Sequence, residues 1–276
     1  MDKIKIKFPD GKEKEFEKGV TPFQVAQSIS SGLANEALAA KVNGHVIEMH
    51  RPINRDADIR FLKFDDEEGK EVYWHSSSHL MAHAIKSLYP EAKFGVGPAI
   101  ENGFYYDFDI NKKLDEEDLI KIEQQMEVIS KKDQKFERAE LPKEKAVEFF
   151  KEMDDQYKLE ILSELDDNNE IISTYSEGDF TDLCTGPHLP SAGKIKYVKL
   201  LSVSGSYWRG DEHNKQMQRI YGISFPKNIM LDDYIQFLEE AKKRDHRKLG
   251  KQLDLFSVHE EAGAGLVYWH PKGARI

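Results

Sequence analysis

The feature that most constrains the fold is a rapid alternation of strand patterns and turn signals in the first 64 residues. Ile4, Ile6 and Phe8 alternate with lysines, which is the period-two pattern of a half-buried strand. The turn residues "PDG" follow at 9–11, and "KEKEFEKG" can return as the second strand of a hairpin. The chain is therefore expected to begin with a β-hairpin.

A helix and further strands are predicted to complete this segment. Thr21 precedes Pro22 and stands three residues before Gln24, which predicts a capped helix over "PFQVAQSIS" that ends near Gly32. "LAAKVNGHVIEM" predicts two strands around an Asn-Gly turn, and "DIRFLKF" predicts a last strand. This order of a hairpin, a helix and further strands favours a ubiquitin-like β-grasp over residues 1–64, with a generic α+β module as the alternative.

Composition excludes several classes of protein. The 39% hydrophobic and 33% charged residues in 276 positions support about two packed domains with a solvated surface. The N-terminus has no secretory pattern, and no run approaches the 18 apolar residues that a membrane span needs. The single cysteine forbids an internal disulfide and predicts a reducing cytoplasm. The net charge of −10 argues against attraction of nucleic acid by the whole surface but leaves room for a local basic patch.

A second domain is predicted over residues 72–225, after an acidic linker candidate at 65–71. "WHSSSHLMAHAIKSLYP" predicts a helix that ends before Pro90, and "FGVGPAIENGFYYDFDI" predicts a hairpin around Asn-Gly. Helical spacing runs from Leu114 to Ile129, while "YKLEILSEL" and "EIISTYSEGDFTDL" predict strands around a "DDNN" turn. Because no βαβ rhythm is visible, the predicted fold class is α+β.

The last part, 226–276, is predicted to be a long helix from Leu231 followed by new strand-like material. The end of this helix is basic, with cations at Lys242, Lys243, Arg244, Arg247, Lys248 and Lys251. One interpretation is a solvated helix end that the helix dipole favours. The alternative is a contact to nucleic-acid phosphates.

The candidate site combines a histidine pair with a cysteine–histidine pair. His75 and His79 are four residues apart in a helical pattern and share one face, with His83 one turn further on. Cys184 and His188 flank "TGP", a tight loop that can turn both side chains the same way. The pattern leaves open three readings: no common site, a zinc site of mixed sulfur and nitrogen ligands, or a metal-free polar pocket.

Other polar residues lie near these motifs in the sequence. Asp179 and Asp182 precede Cys184, and Tyr105, Tyr106 and Asp107 follow an Asn-Gly turn. Lys158 is predicted to lie on a strand, where a lysine most often faces solvent.

Several longer strings resemble the N-terminal half of bacterial threonyl-tRNA synthetases. They occur in the family's order over essentially the whole chain: "WHSSSHLMAHAIK", "FGVGPAIENGFYYDFD", "GDFTDLCTGPHLPS", "SGSYWRGDEHNKQMQRIYG" and "RDHRKLGKQLDLF". The resemblance implies a TGS β-grasp domain at 1–64, an editing domain at 72–225, and a linker helix with the start of a class II catalytic domain at 226–276.

This resemblance implies a proofreading function. The family's full enzyme joins threonine to its tRNA with ATP, and serine differs from threonine by one methyl, worth only about 1–3 kcal/mol in a pocket. The editing domain of the family therefore hydrolyses seryl-tRNA. ATP with Mg²⁺, one Zn²⁺ and the homodimer contact are expected in the catalytic domain beyond these residues, so this segment is expected to be monomeric and to carry no cofactor.

The resemblance also implies site residues. His75, His79, Cys184 and His188 match the family's HxxxH and CxxxH pairs, and three further positions match its polar residues: Tyr106, Lys158 and Asp182. The bacterial pocket works without metal, whereas related alanyl-tRNA editing domains hold zinc in the same framework. "SSSH" replaces the frequent "STAH" or "SCAH", and "CTGPH" replaces "CRGPH", which removes an arginine that could contact the tRNA end.

We expect His75, with a pKa near neutrality, to activate or orient the attacking water. Lys158 would offset oxyanion charge, and Asp182 would hold the ammonium of the substrate. His79 and His188 would fix the ribose and the water, and Cys184 is an alternative covalent nucleophile. A zinc-dependent hydrolase and a non-catalytic RNA-binding module remain the competing functions.

Overall fold

The computed structural model describes residues 2–165, 171–259 and 266–275. Contacts within the chain divide it into two compact units, one up to Pro226 and one from Lys227. Helices and strands are mixed in both units, which confirms the predicted α+β class.

The N-terminal segment is a five-stranded sheet with two short helices. Its strands are β1 (Lys3–Lys7), β2 (Glu13–Glu17), β3 (Ala39–Val42), β4 (His45–Glu48) and β5 (Ala57–Leu62), and its helices are α1 (Pro22–Gln27) and α2 (Ser31–Glu36). The strand order is β2-β1-β5-β3-β4, with β1 parallel to β5 and the other neighbours antiparallel. Ile6, Val25 and Met49 are fully buried between the sheet and the helices. This is the predicted β-grasp.

Local chemistry in this segment bears out two predictions and corrects one. Thr21 and Gln24 form the predicted capping box at the start of α1. Asn43 and Gly44 have positive φ values of 49° and 86°, as the tight turn between β3 and β4 requires. The helix does not continue to Gly32, because Ser30 caps a second helix by accepting the N–H of Leu33. Gly32 therefore lies inside α2.

Over residues 67–165 and 171–225, the second segment adds four α-helices and eight strands to the same compact unit. The helices are α3 (Glu67–Leu88), α4 (Glu116–Lys131), α5 (Lys143–Glu152) and α6 (Gln156–Glu164). The strands are β6 (Lys93–Phe94), β7 (Ala99–Ile100), β8 (Gly103–Asp109), β9 (Glu137–Pro142), β10 (Ile171–Glu177), β11 (Phe180–Leu183), β12 (Tyr197–Tyr207) and β13 (Gln216–Phe225). One sheet has the order β12-β13-β8-β6, with β7 also paired to β8, and the other has the order β11-β10-β9.

Two elements of this segment differ from the prediction. The acidic linker candidate at 65–71 is largely helical, because α3 begins at Glu67 and its first-turn acids suit a helix N-terminus. "YKLEILSEL" is helix α6 and not a strand, because Asp155 caps it by accepting the N–H of Lys158. A short apolar run in the sequence does not distinguish a helix from a strand. The predicted "DDNN" turn lies outside the described residues.

The middle of α3 is buried although it contains three serines. Ser76, Ser77 and Ser78 are 0% exposed. The hydroxyls of Ser76 and Ser77 donate to carbonyls of the preceding turn, and the hydroxyl of Ser78 shares its proton between the carbonyls of His75 and Gly97. These bonds satisfy the hydroxyl protons, so the polar segment can be buried at low cost. The packed helix then holds its histidines in fixed positions.

The two predicted modules of the first unit are packed together. Phe64 follows β5 and contacts the rings of Tyr73, Trp74 and Phe225. Lys41 of β3 forms an ion pair of 2.5 Å with Glu68 of α3. The β-grasp sheet and the second segment therefore share an apolar contact and an ion pair.

In its described residues, 227–259 and 266–275, the second unit contains two α-helices and a hairpin: α7 (Asn228–Lys243), α8 (His246–Gln252), β14 (Phe256–Val258) and β15 (Val267–Trp269). The helix predicted from Leu231 is confirmed as α7, but its predicted continuation through Lys251 is wrong. Asp245 interrupts it by accepting the N–H of Arg247 at 2.8 Å, which caps a new helix. No helix among the described residues has both the length and the apolar character needed to cross a membrane.

Candidate active site

Four side chains that are distant in sequence meet in the first unit. His75 and His79 come from α3, and Cys184 and His188 come from the loop after β11. Their nitrogen and sulfur atoms all lie within 4.8 Å of one another. Cys184 Sγ lies 3.0 Å from His75 Nε2 and 3.3 Å from His188 Nε2. The four residues therefore form one cluster.

A cleft of about 580 Å³ opens beside this cluster. That volume falls within the range of small-ligand sites. Its polar wall contains His75, His79, Tyr106, Lys158, Asp182 and Cys184, and its apolar wall contains Val96, Pro98, Ile161, Leu165, Ile171 and Leu183. His188 does not line the cleft and is 0% exposed. It lies behind Cys184 and the two histidines of α3, and its predicted catalytic role stays a prediction.

Ser76 determines which nitrogen of His188 carries the proton. The Ser76 hydroxyl donates to the carbonyl of Val72, and its oxygen accepts the N–H of Leu189 and faces His188 Nδ1 at 3.2 Å. Because the hydroxyl proton is already used, His188 Nδ1 must be the donor to Ser76. His188 Nε2 therefore presents a lone pair to Cys184.

The thiol of Cys184 then sets the state of His75. Sγ accepts the N–H of Gly186 at 3.2 Å, and its own proton satisfies the lone pair of His188 Nε2. His75 Nε2 accordingly donates to the sulfur, which leaves Nδ1 of His75 with a lone pair. No hydrogen-bond partner for Nδ1 occurs among the described residues, so this atom is available to a water or a ligand.

Burial keeps the imidazoles of the cluster uncharged. It lowers the pKa of His75 to about 4 and that of His79 to about 3, although the charge of Asp182 acts in the opposite direction. Burial and the two neighbouring histidines also hold the pKa of His188 well below its usual value. The near-neutral pKa expected for His75 is therefore wrong: at neutral pH it is unprotonated.

Cys184 is a thiol and not a thiolate. Burial raises its pKa to about 12, and the N–H of Gly186 offsets this only in part. Since the thiolate is the nucleophilic form, the geometry does not favour covalent catalysis by Cys184.

Lys158 and Asp182 form a buried ion pair at the edge of the cluster. Lys158 Nζ contacts Asp182 Oδ1 at 2.6 Å and donates to the carbonyl of Gly95 at 2.7 Å and to the hydroxyl of Tyr106 at 3.3 Å. Burial opposes the charge of Asp182, but the charge of Lys158 and the hydrogen bonds from Lys158 and Tyr106 more than compensate and hold its pKa below the usual value. Asp182 Oδ2 accepts the Tyr106 hydroxyl at 2.5 Å and faces His79 Nδ1 at 3.4 Å.

Lys158 and Asp182 bind mainly protein groups, and their predicted roles toward an oxyanion and a substrate ammonium stay predictions. The three protons of the Lys158 ammonium are each directed at a protein acceptor, and both oxygens of Asp182 face protein donors. The geometry therefore favours a role in holding His79 and Tyr106, with any effect on an oxyanion or an ammonium exerted by charge at longer range.

Other sequence candidates lie outside the cleft. His83 bonds Glu177 and, at 2.8 Å, Asp179. Asp107 binds the guanidinium of Arg219 through two bonds of 2.7 Å, and Tyr105 packs on that guanidinium. These contacts stabilise the sheets and contribute no group to the cleft.

The basic run belongs to the second unit. Lys242 and Lys243 lie in the last turn of α7, Arg244 caps it, and Arg247 and Lys248 belong to α8. Lys243 and Arg244 both contact Glu240, and Arg247 contacts Asp245. All five side chains are exposed. Their part in RNA binding stays a prediction.

Sequence reasoning missed three residues that organise the cluster. Ser76 orients His188, the carbonyl of Gly95 binds Lys158, and Tyr175 packs its ring against His188 at 4.5 Å between centroids. Their partners lie 13 to 112 residues away in the chain, so no local spacing could have revealed them.

Comparisons with known proteins agree with this architecture. Residues 4–63 match the TGS domain, and residues 172–221 match the "Threonyl and Alanyl tRNA synthetase second additional domain". The chain is 54% identical over 98% of its length to the threonine–tRNA ligase of Caldanaerobacter subterraneus and 56% identical over 99% to that of Clostridioides difficile. It spans 42% of the length of each of these relatives. The chain therefore belongs to the threonine–tRNA ligase family, over the N-terminal part of its members.

Proposed function

We propose that residues 72–225 hydrolyse the ester that links serine to a mischarged tRNA. The observation that carries this proposal is the cleft beside the cluster, in which a neutral imidazole, a thiol and a buried ion pair face the same space. Kinship with threonine–tRNA ligases supports an aminoacyl-tRNA substrate, and tRNA specific for threonine is the proposed partner.

The proposed chemistry uses His75 to orient the attacking water. Its Nδ1 lone pair accepts a proton of the water while Nε2 donates to Cys184, so the ring orientation is fixed before the substrate arrives. With a pKa of about 4, His75 is a weak base whose principal contribution is orientation. His79 and Tyr106, held by Asp182, complete the polar wall against the acyl group and the ribose.

Selectivity for serine over threonine requires a close wall. Val96, Gly97 and Pro98 supply backbone along the cleft, and the Gly97 carbonyl is held by the hydroxyl of Ser78 at 2.5 Å. A Cβ at residue 97 would lie 2.1 Å from the Tyr106 ring, so this backbone cannot retreat from an additional methyl. A fixed wall of this kind excludes the larger acyl group.

The test is deacylation of seryl-tRNA by the purified chain, with threonyl-tRNA as the second substrate. His75→Ala should lower the rate at least about tenfold, because an oriented proton acceptor typically contributes 10²–10⁴-fold. His213→Ala, at a histidine whose side chain is 84% exposed, is the control and should leave the rate unchanged. An absence of turnover by the wild-type chain would favour a non-catalytic RNA-binding module, and a smaller loss in His75→Ala would remove its proposed role.

A zinc-dependent form of the same hydrolysis is the second candidate. The four donors fit zinc, since they already lie within 4.8 Å of one another and the lone pair of His188 Nε2 faces the sulfur of Cys184. Because a catalytic zinc keeps one position open, three of His75, His79, Cys184 and His188 would hold the ion, and the fourth position would be left to the substrate or water, on which zinc would act as a Lewis acid. Stoichiometric zinc in the purified chain with chelator-sensitive turnover would favour this candidate, and full activity without zinc would exclude it.

The longer protein is proposed to charge tRNA with threonine, as its relatives' names state. Within this chain, the exposed cations at the end of α7 and in α8 are proposed to contact tRNA phosphates. Replacing Lys242, Lys243 and Lys248 by Gln should weaken tRNA binding and flatten its salt dependence by about one unit of slope per lost contact. An unchanged slope would leave these residues as a solvated helix end.

A further inference from the structure

We propose that Glu48, a residue of the N-terminal β-grasp segment, is a positioning residue for the loop 184–188. It acts through Tyr175 of β10, which lies between the carboxylate and the loop. The effect on turnover rests on the proposed hydrolysis, but the effect on the loop does not.

Glu48 and Tyr175 are joined by a hydrogen bond across the two segments of the first unit. Glu48 is the last residue of β4, and its Oε1 accepts the hydroxyl proton of Tyr175. The two residues are 127 positions apart in the chain. Burial and this bond raise the pKa of Tyr175, so the hydroxyl remains protonated and donates. At 2% exposure, Tyr175 has almost no contact with solvent.

Tyr175 touches the loop at two points. Its ring packs against the His188 ring with 4.5 Å between centroids and 61° between planes. Its hydroxyl lies against Gly186, where a Cβ would come within 2.0 Å of that oxygen and 3.0 Å of Glu48 Oε1. Gly186 also has a φ of +70°, so both its conformation and its neighbours exclude a side chain.

These two contacts lie on either side of the thiol. The N–H of Gly186 donates to Cys184 Sγ at 3.2 Å, and His188 Nε2 lies 3.3 Å from the same sulfur. A shift of Tyr175 would therefore change both bonds to Cys184 and, through the sulfur, the bond to His75 at 3.0 Å. Orientation of a catalytic imidazole depends on such displacements.

The surroundings hold the Glu48 carboxylate in place although its bonding is incomplete. Oε2 of Glu48 and Nε of Arg138 are buried without hydrogen-bond partners among the described residues, and Arg51 lies 3.9 Å from Glu48 Oε2. Buried polar atoms are rarely left unpaired. A carboxylate with an unpaired buried oxygen lowers stability. Its presence at residue 48 is expected if its position serves the neighbouring loop 184–188.

The experiment uses the sole cysteine as a reporter, in the whole chain. The rate of Cys184 alkylation by iodoacetamide and the kcat and KM for seryl-tRNA deacylation are measured for Glu48→Ala, Glu48→Gln and Tyr175→Phe. Glu48→Ala and Tyr175→Phe should each accelerate alkylation several-fold and lower kcat about tenfold with little change in KM, because the loop loosens while the cleft wall remains. Glu48→Gln keeps an acceptor for Tyr175 and should restore both values to nearly those of the wild type.

Glu68→Gln is the matched control, because Glu68 pairs with Lys41 across the same two segments but has no recorded contact to the loop. It should change neither readout. The double variant Glu48→Ala/Tyr175→Phe should resemble the single variants, since both remove one interaction.

Three results would overturn the proposal. Unchanged alkylation and kcat in Glu48→Ala and Tyr175→Phe would show that the bond does not position the loop. Equal acceleration in Glu48→Ala and Glu48→Gln would assign the effect to the lost negative charge. Equal changes in Glu68→Gln would assign it to general loosening between the segments. A wild-type chain without deacylase activity would refute the proposed hydrolysis, while the alkylation rates would still decide the role of Glu48.

Discussion

Histidines on successive turns of α3 lie in two opposite electrostatic environments. His75 and His79 face a thiol and the buried His188, and burial lowers their pKa values to about 4 and 3. His83, one turn further on, lies between Glu177 and Asp179; burial again opposes its charge, but the two carboxylates more than compensate and raise its pKa. The first two are neutral at pH 7, and His83 is protonated at a higher pH than a free imidazole.

This contrast separates the effects of helix spacing and surroundings. The spacing of His75, His79 and His83 in the sequence places all three rings on helix α3. Their charge depends instead on the strands and loops that pack against each ring. The pair at the cleft meets β8 and the loop after β11, with Asp182 as the nearby anion already bound to Lys158. His83 meets the turn between β10 and β11, where Glu177 and Asp179 are both within bonding distance.

The largest expected effect is a loss of stability when Asp182, the anion beside the cleft, is replaced. Asp182→Asn leaves the ammonium of Lys158 buried without its countercharge, and breaking a buried pair in this way costs about 3–5 kcal/mol of stability. Urea unfolding would measure the loss. The double replacement Asp182→Leu with Lys158→Met should recover most of that stability but not the deacylation. A loss below about 1 kcal/mol in Asp182→Asn would show that the pair is better solvated than its burial indicates.

The next largest effect is expected on the free energy of unfolding at acidic pH, because His75 and His79 are neutral in the folded chain. Their folded pKa values lie below the ordinary 6.5, so between about pH 6.5 and 4 the unfolded chain binds more protons than the folded one. Their contribution to stability is complete above pH 6.5 and is lost as the pH falls. Unfolding free energies measured over that range should decline less steeply for His75→Gln than for the wild type. Parallel curves would contradict the lowered pKa of His75.

His83 should show the opposite sign. Its folded pKa is raised, so its contribution to stability is complete below pH 6.5 and is lost as the pH rises through the folded pKa. The stability advantage of the wild type over His83→Gln should therefore shrink between pH 6 and 9 in thermal or urea unfolding. The exposed His213→Gln serves as the control. An advantage that grows with pH would mean that Glu177 and Asp179 do not hold the proton.

The smallest effect on function is expected at Cys184. With a thiol pKa of about 12, alkylation by iodoacetamide at pH 8 should be at least about tenfold slower than that of a small free thiol and should accelerate as the pH rises. Cys184→Ser keeps a donor to His188 and should retain deacylation within about tenfold. The unfolded chain, which should react at the free-thiol rate, is the control. Loss of all turnover in Cys184→Ser would restore covalent catalysis as the mechanism.

The sequence predicted the elements whose signals are local. The capping box at Thr21, the Asn43-Gly44 turn and the helix through His75 and His79 depend on residues within four positions of one another. The strand predicted around Lys158 was wrong because a short apolar run fits either structure, and the cap at Asp155 decided in favour of a helix. The helix from Leu231 was predicted correctly as far as Lys243, but its continuation through Lys251 was wrong, since Asp245 caps a second helix.

By itself, the sequence determined the α+β class and the β-grasp, because periodicity and turn residues lie in neighbouring positions. The residues of the site were indicated by the resemblance to a known family, since motif spacing alone left the site open. Only the tertiary structure decided the protonation of those residues and their partners. Burial made His75 neutral and Cys184 a thiol, and contacts over 24 to 127 residues paired Lys158 with Asp182 and Glu48 with Tyr175. Desolvation and charge pairing depend on distances in the folded chain, which local spacing does not specify.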